Sequence, residues 1–121
     1  MAMSTTEEWF RELQRIWLEK DIPALRAIIA DDFTYYEDPF APAITTWQEL
    51  QEVWQEIKEQ DIKHLAIIAT ITGERQGAAR YEFIFHDSHG VQHESRGAYY
   101  VALNEAGRAT EFRQWWTEKG A

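Results

Sequence analysis

Near His64 the apolar residues change their period, and this switch constrains the fold more than any other feature of the chain. Before it they recur every three or four positions, the spacing of one helix face; after it they alternate, the spacing of one sheet face. Trp9, Phe10, Leu13, Ile16 and Trp17 make a first stripe, behind a cap from Ser4, Thr5 or Thr6 and the acidic first turn of Glu7 and Glu8. That helix runs to about Lys20. Asp21 offers a cap for a short second helix, with Pro23 in its first turn and a stripe of Ile22, Leu25, Ile28 and Ile29. Thr46 and Glu49 form a capping box for a third helix, whose face is Trp47, Leu50, Val53, Trp54 and Ile57. Between the last two, Phe33-Thr34-Tyr35-Tyr36 reads as a strand entering a loop that Pro39 and Pro42 keep irregular.

Beyond the switch, turn residues at Gly73 to Gly77, Asp87 to Gly90 and Asn104 to Gly107 divide the chain into four strands joined as hairpins. Alternation puts Tyr81, Phe83 and Phe85 on one face, with Ser95, Gly97, Tyr99, Val101, Leu103, Phe112, Gln114 and Trp116. That face is expected to look inward. The opposite face carries Arg80, Glu82, Ile84, Glu94, Arg96, Tyr100, Glu111, Arg113 and Trp115, charges interleaved with large apolar side chains. Cross-strand ion pairing is the modest reading of that face. The sharper one, which Trp115 and Tyr100 favour, is a homodimer interface.

A chain of 121 residues has room for one sizeable core, and no repeat or linker divides it, so a single domain over residues 4–119 is expected. With 21 acidic residues against 12 basic ones, its formal charge of −9 repels phosphate backbones and anionic lipid. Nucleic acid and membrane are therefore not expected partners. The first residues lack a basic stretch followed by an apolar one, and a cytoplasmic protein is the reading. No Cys is present, so chemistry falls to carboxylates, His, Tyr or Arg, and neither a metal nor a cofactor is expected. His86, His89 and His93 crowd one turn, but in no compact ligand spacing, and are read as solvated hairpin residues.

The order of helix, helix, strand, helix and hairpins resembles the nuclear transport factor 2-like superfamily, which includes SnoaL-like cyclases and ketosteroid isomerases. Its carriers are Asp21-Ile22-Pro23, Ala30-Asp31-Asp32-Phe33, Glu37-Asp38-Pro39, and Asn104 to Arg108 leading into Glu111-Phe112-Arg113-Gln114-Trp115-Trp116. The resemblance implies an α+β, cone-shaped domain: three N-terminal helices packed on a strongly bent, mostly antiparallel sheet that encloses a pocket. It also implies pairing of two sheets through the outer face, with Arg80, Glu82, Arg96, Tyr100, Glu111, Arg113 and Trp115 in the contact.

Asp38 stands where the ketosteroid isomerases carry a base, an Asp immediately before a Pro. A carboxylate at the mouth of an apolar pocket can move a proton at a carbon next to a carbonyl, provided donors hold the enolate oxygen. The handful of donors differs from the isomerase pattern: Leu13 replaces a Tyr and Tyr99 an Asp, so steroid isomerisation as such is not implied. Tyr99 is the candidate donor, with Tyr36 or Tyr81 as a second. Tyr36, Val53, Tyr81, Phe83, Phe112, Gln114 and Trp116 are the expected lining of a pocket for a small, largely apolar molecule. Epoxide opening ranks last, because Arg80, Arg96 and Arg113 all alternate outward. Against the catalytic reading, Asp38-Pro39 is also an ordinary turn pair and the aromatics can fill a core; a non-catalytic carrier or dimerisation module is the alternative.

Overall fold

A computed structural model describes residues 6–120, and its helical half gives way to sheet at Asp61, three residues before the change of period at His64. Helix α1 spans Thr6–Glu19 and buries Trp9, Phe10, Leu13 and Ile16, the stripe expected for it. Of its expected caps, Ser4 and Thr5 lie outside the described residues. Thr6 is already helical; its hydroxyl donates to the Gly73 carbonyl at 2.9 Å, pinning the start of α1 to the turn after the second strand.

The expected second helix is a 3-10 segment, Ile22–Ala27. Pro23 leaves its first turn without an N–H, Asp21 makes no side-chain cap, and the β-branched Ile28 and Ile29 pass into extended chain. Strand β1 consequently begins early and spans Ile29–Tyr36. Helix α2, Trp47–Trp54, has its cap where expected, the Thr46 hydroxyl accepting from the Glu49 N–H at 3.3 Å. It then tightens into a second 3-10 segment, Gln55–Glu59, whose end is held by the Lys20 ammonium donating to the Lys58 and Gln60 carbonyls.

Strands β2 (Asp61–Thr72), β3 (Gln76–His86), β4 (Gln92–Leu103) and β5 (Ala109–Glu118) are antiparallel neighbours, and β1 adds to β5 in parallel. The result is a five-stranded mixed sheet of order β1-β5-β4-β3-β2. Its inner face is the one alternation assigned, with Tyr81, Phe83, Tyr99, Val101, Leu103 and Phe112 all buried. Helix α1 covers that face, and the Trp9 indole N–H donates to the Ile28 carbonyl at 2.9 Å, tying helix to strand entry.

Around the β3–β4 turn the histidines separate. His86 meets Gln92 at 3.3 Å on the surface, whereas His93 is gripped on both ring nitrogens, by Asp87 at 2.9 Å and Glu118 at 3.1 Å. Its ring also stacks on Phe85 at 4.9 Å. The arrangement ties the turn and the end of β5 to one imidazole. The Asp87 and Glu118 hydrogen bonds raise the His93 pKa, and His93 with the Val91 N–H lowers Asp87 to about 2.

Two predictions follow from this frame. A Cβ on Gly97 would lie 1.8 Å from the Trp115 carbonyl oxygen, an atom of the neighbouring strand's backbone. Gly97→Ala should therefore destabilise the fold by about 3 kcal/mol, read as a lowered urea midpoint; an unmoved midpoint contradicts the β4–β5 register. For the imidazole, a raised folded pKa gives stability that is complete below about 6.5 and lost as pH rises through the folded value, while the lowered Asp87 gives stability present above about 4 and lost toward pH 2. The His93 ring protons should titrate above 6.5 by NMR and move back toward that value in Asp87→Asn.

Candidate functional site

Between the helices and the lower half of the sheet lies a cavity of about 330 Å³, within the range of small-molecule pockets. Each element contributes to it for a local reason. Trp17, partly buried, ends the apolar stripe of α1, and its ring packs at 4.8 Å on Phe83 of β3 and at 5.5 Å on Trp54 of α2. Val53, Trp54 and Ile57 reach it because the apolar face of α2 continues through the 3-10 segment. Tyr81, Phe83 and Phe85 alternate in from β3, Ser95 from β4, and Gln114, Trp116 and Glu118 from β5.

The polar groups are few and placed. Trp54 donates its indole N–H to the Tyr35 hydroxyl at 3.2 Å, and Gln114 donates to the Tyr81 hydroxyl at 3.4 Å. Burial raises the pKa of both phenols, so each stays a neutral hydroxyl at ordinary pH. Trp17 is fixed by its N–H to Gln60 Oε1 at 3.3 Å.

At the rim stand Glu37, Asp38 and Glu56, from the loop after β1 and from the second 3-10 segment. Asp38 Oδ1 accepts from the Phe40 N–H at 2.7 Å and the Ala41 N–H at 3.1 Å, so one oxygen shapes the turn. Its other oxygen has no hydrogen bond among the described residues. Glu37 behaves differently: partial desolvation, then the charges of Glu56 and Asp38, push its pKa up. Two adjacent acids thus sit in unlike environments.

Of the side chains expected at the site, Asp38, Val53, Tyr81, Phe83, Gln114 and Trp116 line this cavity. Three do not. Tyr36 faces the outer surface, with the Arg113 guanidinium 4.1 Å above its ring. Phe112 lies in the core behind Tyr35, stacked on it at 4.8 Å. Tyr99 is fully buried, stacked on Tyr81 at 4.5 Å, and its hydroxyl has no partner among the described residues. Burial drives its pKa well up.

Tyr35, Trp17, Glu37, Glu56 and Glu118 were not among the expected lining. For Tyr35 a signal existed: in Phe33-Thr34-Tyr35-Tyr36 the polar Thr34 marks the outward parity, which Tyr36 shares. No arginine is among the described residues that line the cavity.

No family model and no curated protein matches this chain. Solved structures do. The epoxide hydrolase/cyclase-like enzyme SalBIII, described for pyran ring formation in the polyether salinomycin, superposes with a TM-score of 0.80 at 13% identity, over 92% of this chain and 89% of its own. A ketosteroid isomerase from Mycobacterium sp. gives 0.71 at 16% identity, over 88% and 92%. A Mycobacterium tuberculosis protein solved with estradiol-17beta-hemisuccinate gives 0.71 at 19%, over 86% and 87%. At these identities the likeness is one of fold, and the chain has the nuclear transport factor 2-like fold common to SnoaL-like polyketide cyclases and ketosteroid isomerases.

Proposed function

We propose that this cavity binds a small, largely apolar organic molecule and that Asp38 at its rim moves a proton to or from a carbon beside a carbonyl. The observation that carries the reading is one enclosure holding apolar rings, two neutral tyrosine hydroxyls and rim carboxylates together. Rings supply affinity through buried area, the Tyr35 and Tyr81 hydroxyls donate to an enolate oxygen, and a carboxylate accepts the proton. Tyr99, expected as the donor, takes no part in this scheme, because its hydroxyl is buried outside the cavity lining and without a hydrogen bond to Tyr81. Glu37, whose pKa is raised by partial burial and by the nearby charges of Glu56 and Asp38, is the second carboxyl at the rim and the candidate to return the proton that Asp38 takes.

A carrier without catalysis is the second reading, and the use of Asp38 Oδ1 in the turn favours it. The experiment that separates the two follows Trp17, Trp54 and Trp116 fluorescence during titration with neutral cyclic ketones and ketosteroids, then α-proton exchange of the bound ketone in deuterium oxide by NMR. Exchange should fall by about 100-fold in Asp38→Asn while ketone binding persists. Binding with no exchange in the parent chain establishes the carrier.

The outer sheet face is the proposed homodimer contact. Trp115 is 43% exposed there, among Arg80–Glu82 and Arg113–Glu111 pairs that already satisfy their own charges. With charges internally matched, a second copy meets a face of low net charge with an apolar centre. Light scattering on the eluting protein should give twice the chain mass, and Trp115→Glu should halve it; a monomeric parent chain refutes the interface.

A further inference from the structure

We infer that Trp54 is a positioning residue that fixes the polarity of this cavity: its indole N–H occupies the Tyr35 oxygen, so the Tyr35 proton is left for the bound molecule and selects one that presents an oxygen acceptor. The inference rests on the pocket reading above and adds the residue that decides which polar atom the pocket takes.

Only one of the two lining phenols has a fixed polarity. An indole N–H donates and never accepts, so in the 3.2 Å contact between Trp54 and Tyr35 the phenol oxygen is the acceptor. The single Tyr35 proton then leaves on the other side of that oxygen, and it donates to no group among the described residues. Both side chains line the cavity, and Tyr35 is only 6% exposed. A buried donor left unmatched costs free energy, which a ligand oxygen recovers and a carbon in its place does not. Tyr81 differs: its oxygen meets the Gln114 amide at 3.4 Å and lies near the Ser95 hydroxyl, groups that both donate and accept, so it adapts to what the ligand brings.

Tyr35 is not free to turn away. Its ring is stacked on Phe112 at 4.8 Å, its backbone N–H donates to the Ile44 carbonyl at 2.9 Å, and its own carbonyl accepts from the Ile44 N–H at 2.8 Å. Trp54 in turn is 4% exposed and packs edge-on against Trp17 at 5.5 Å. With α2 supplying the indole and β1 the phenol, the donor is aimed before a ligand arrives. Hydrogen bonds in series strengthen one another, so a ligand oxygen that takes the Tyr35 proton makes the phenol oxygen a better acceptor for Trp54.

The test uses two probes of one shape on the full chain: 2-tetralone, and the hydrocarbon in which an exocyclic methylene replaces its carbonyl oxygen. By calorimetry the ketone should bind about tenfold more tightly than the hydrocarbon, and in Tyr35→Phe the ratio should approach one. In Trp54→Phe the ratio should fall by about threefold, and the infrared carbonyl stretch of the bound, carbon-13-labelled ketone, lowered in the parent chain, should move back toward its value in an apolar solvent. A merely structural loss of the indole weakens both probes alike and leaves the stretch where it was. In the unmodified chain the Trp54 indole proton, followed by NMR, should move downfield with the ketone and not with the hydrocarbon; this measurement decides alone if Trp54→Phe does not fold. An unchanged ratio and stretch in Trp54→Phe, or an indole proton that answers both probes alike, overturns the role of Trp54. Equal affinity for the two probes in the parent chain overturns the acceptor preference and leaves the apolar pocket standing; no binding of either probe overturns the pocket reading with it.

Discussion

A single row of rings crosses the sheet, and most of the structure is arranged around it. Tyr81 of β3 stacks on Tyr99 of β4 at 4.5 Å, Tyr99 packs on Phe112 of β5 at 5.1 Å, and Phe112 stacks on Tyr35 of β1 at 4.8 Å. Cross-strand pairs of this kind stabilise a sheet and fix its register together, because a slip of one residue would turn every ring to the opposite face. The row includes the one parallel contact, where Tyr35 and Phe112 are direct partners, so it locks β1 onto a sheet that is otherwise a run of hairpins. On one side of the row Trp9 and Phe10 of α1 close the core. On the other side the space opens into the cavity.

This division explains why the cavity stays open in so aromatic a molecule. Side chains on the core side are covered by a full-length helix, whereas the cavity side is roofed by α2, only eight residues long and then tightened into a 3-10 turn. A short roof brings Val53, Trp54 and Ile57 to the edge of the space without filling it. The same tightening delivers Glu56 and Gln60 to the rim, and the early start of β1 delivers Glu37 and Asp38 opposite them. The departures from regular helix are therefore what set polar groups around an apolar hole.

Much of this was legible in the sequence, and the parts that were not share a cause. Strand faces from β3 to β5 were readable because alternation survives wherever one face is buried; Tyr81, Phe83, Gln114 and Trp116 fell where the period put them. The third helix announced itself through Thr46 and Glu49. The second failed as an α-helix because apolar spacing over Ile22 to Ile29 fits a 3-10 turn followed by a strand as well as it fits a helix, and Pro23 with two adjacent isoleucines decides for the former. Tyr36 was placed inside for want of a parity choice between two neighbouring tyrosines. Glu37, Glu56 and Glu118 were invisible as a group, since they are brought together by tertiary packing from three segments that no local pattern connects.

The ring row and the cavity are not independent. The ends of the row, Tyr35 and Tyr81, line the cavity together with Glu37, Asp38, Glu56 and Glu118, while its middle, Tyr99 and Phe112, lies in the core. The same rings thus fix the register of the sheet and bring two hydroxyls, held by Trp54 and Gln114, to the cavity. A substitution at either end of the row therefore alters strand packing and the cavity wall together.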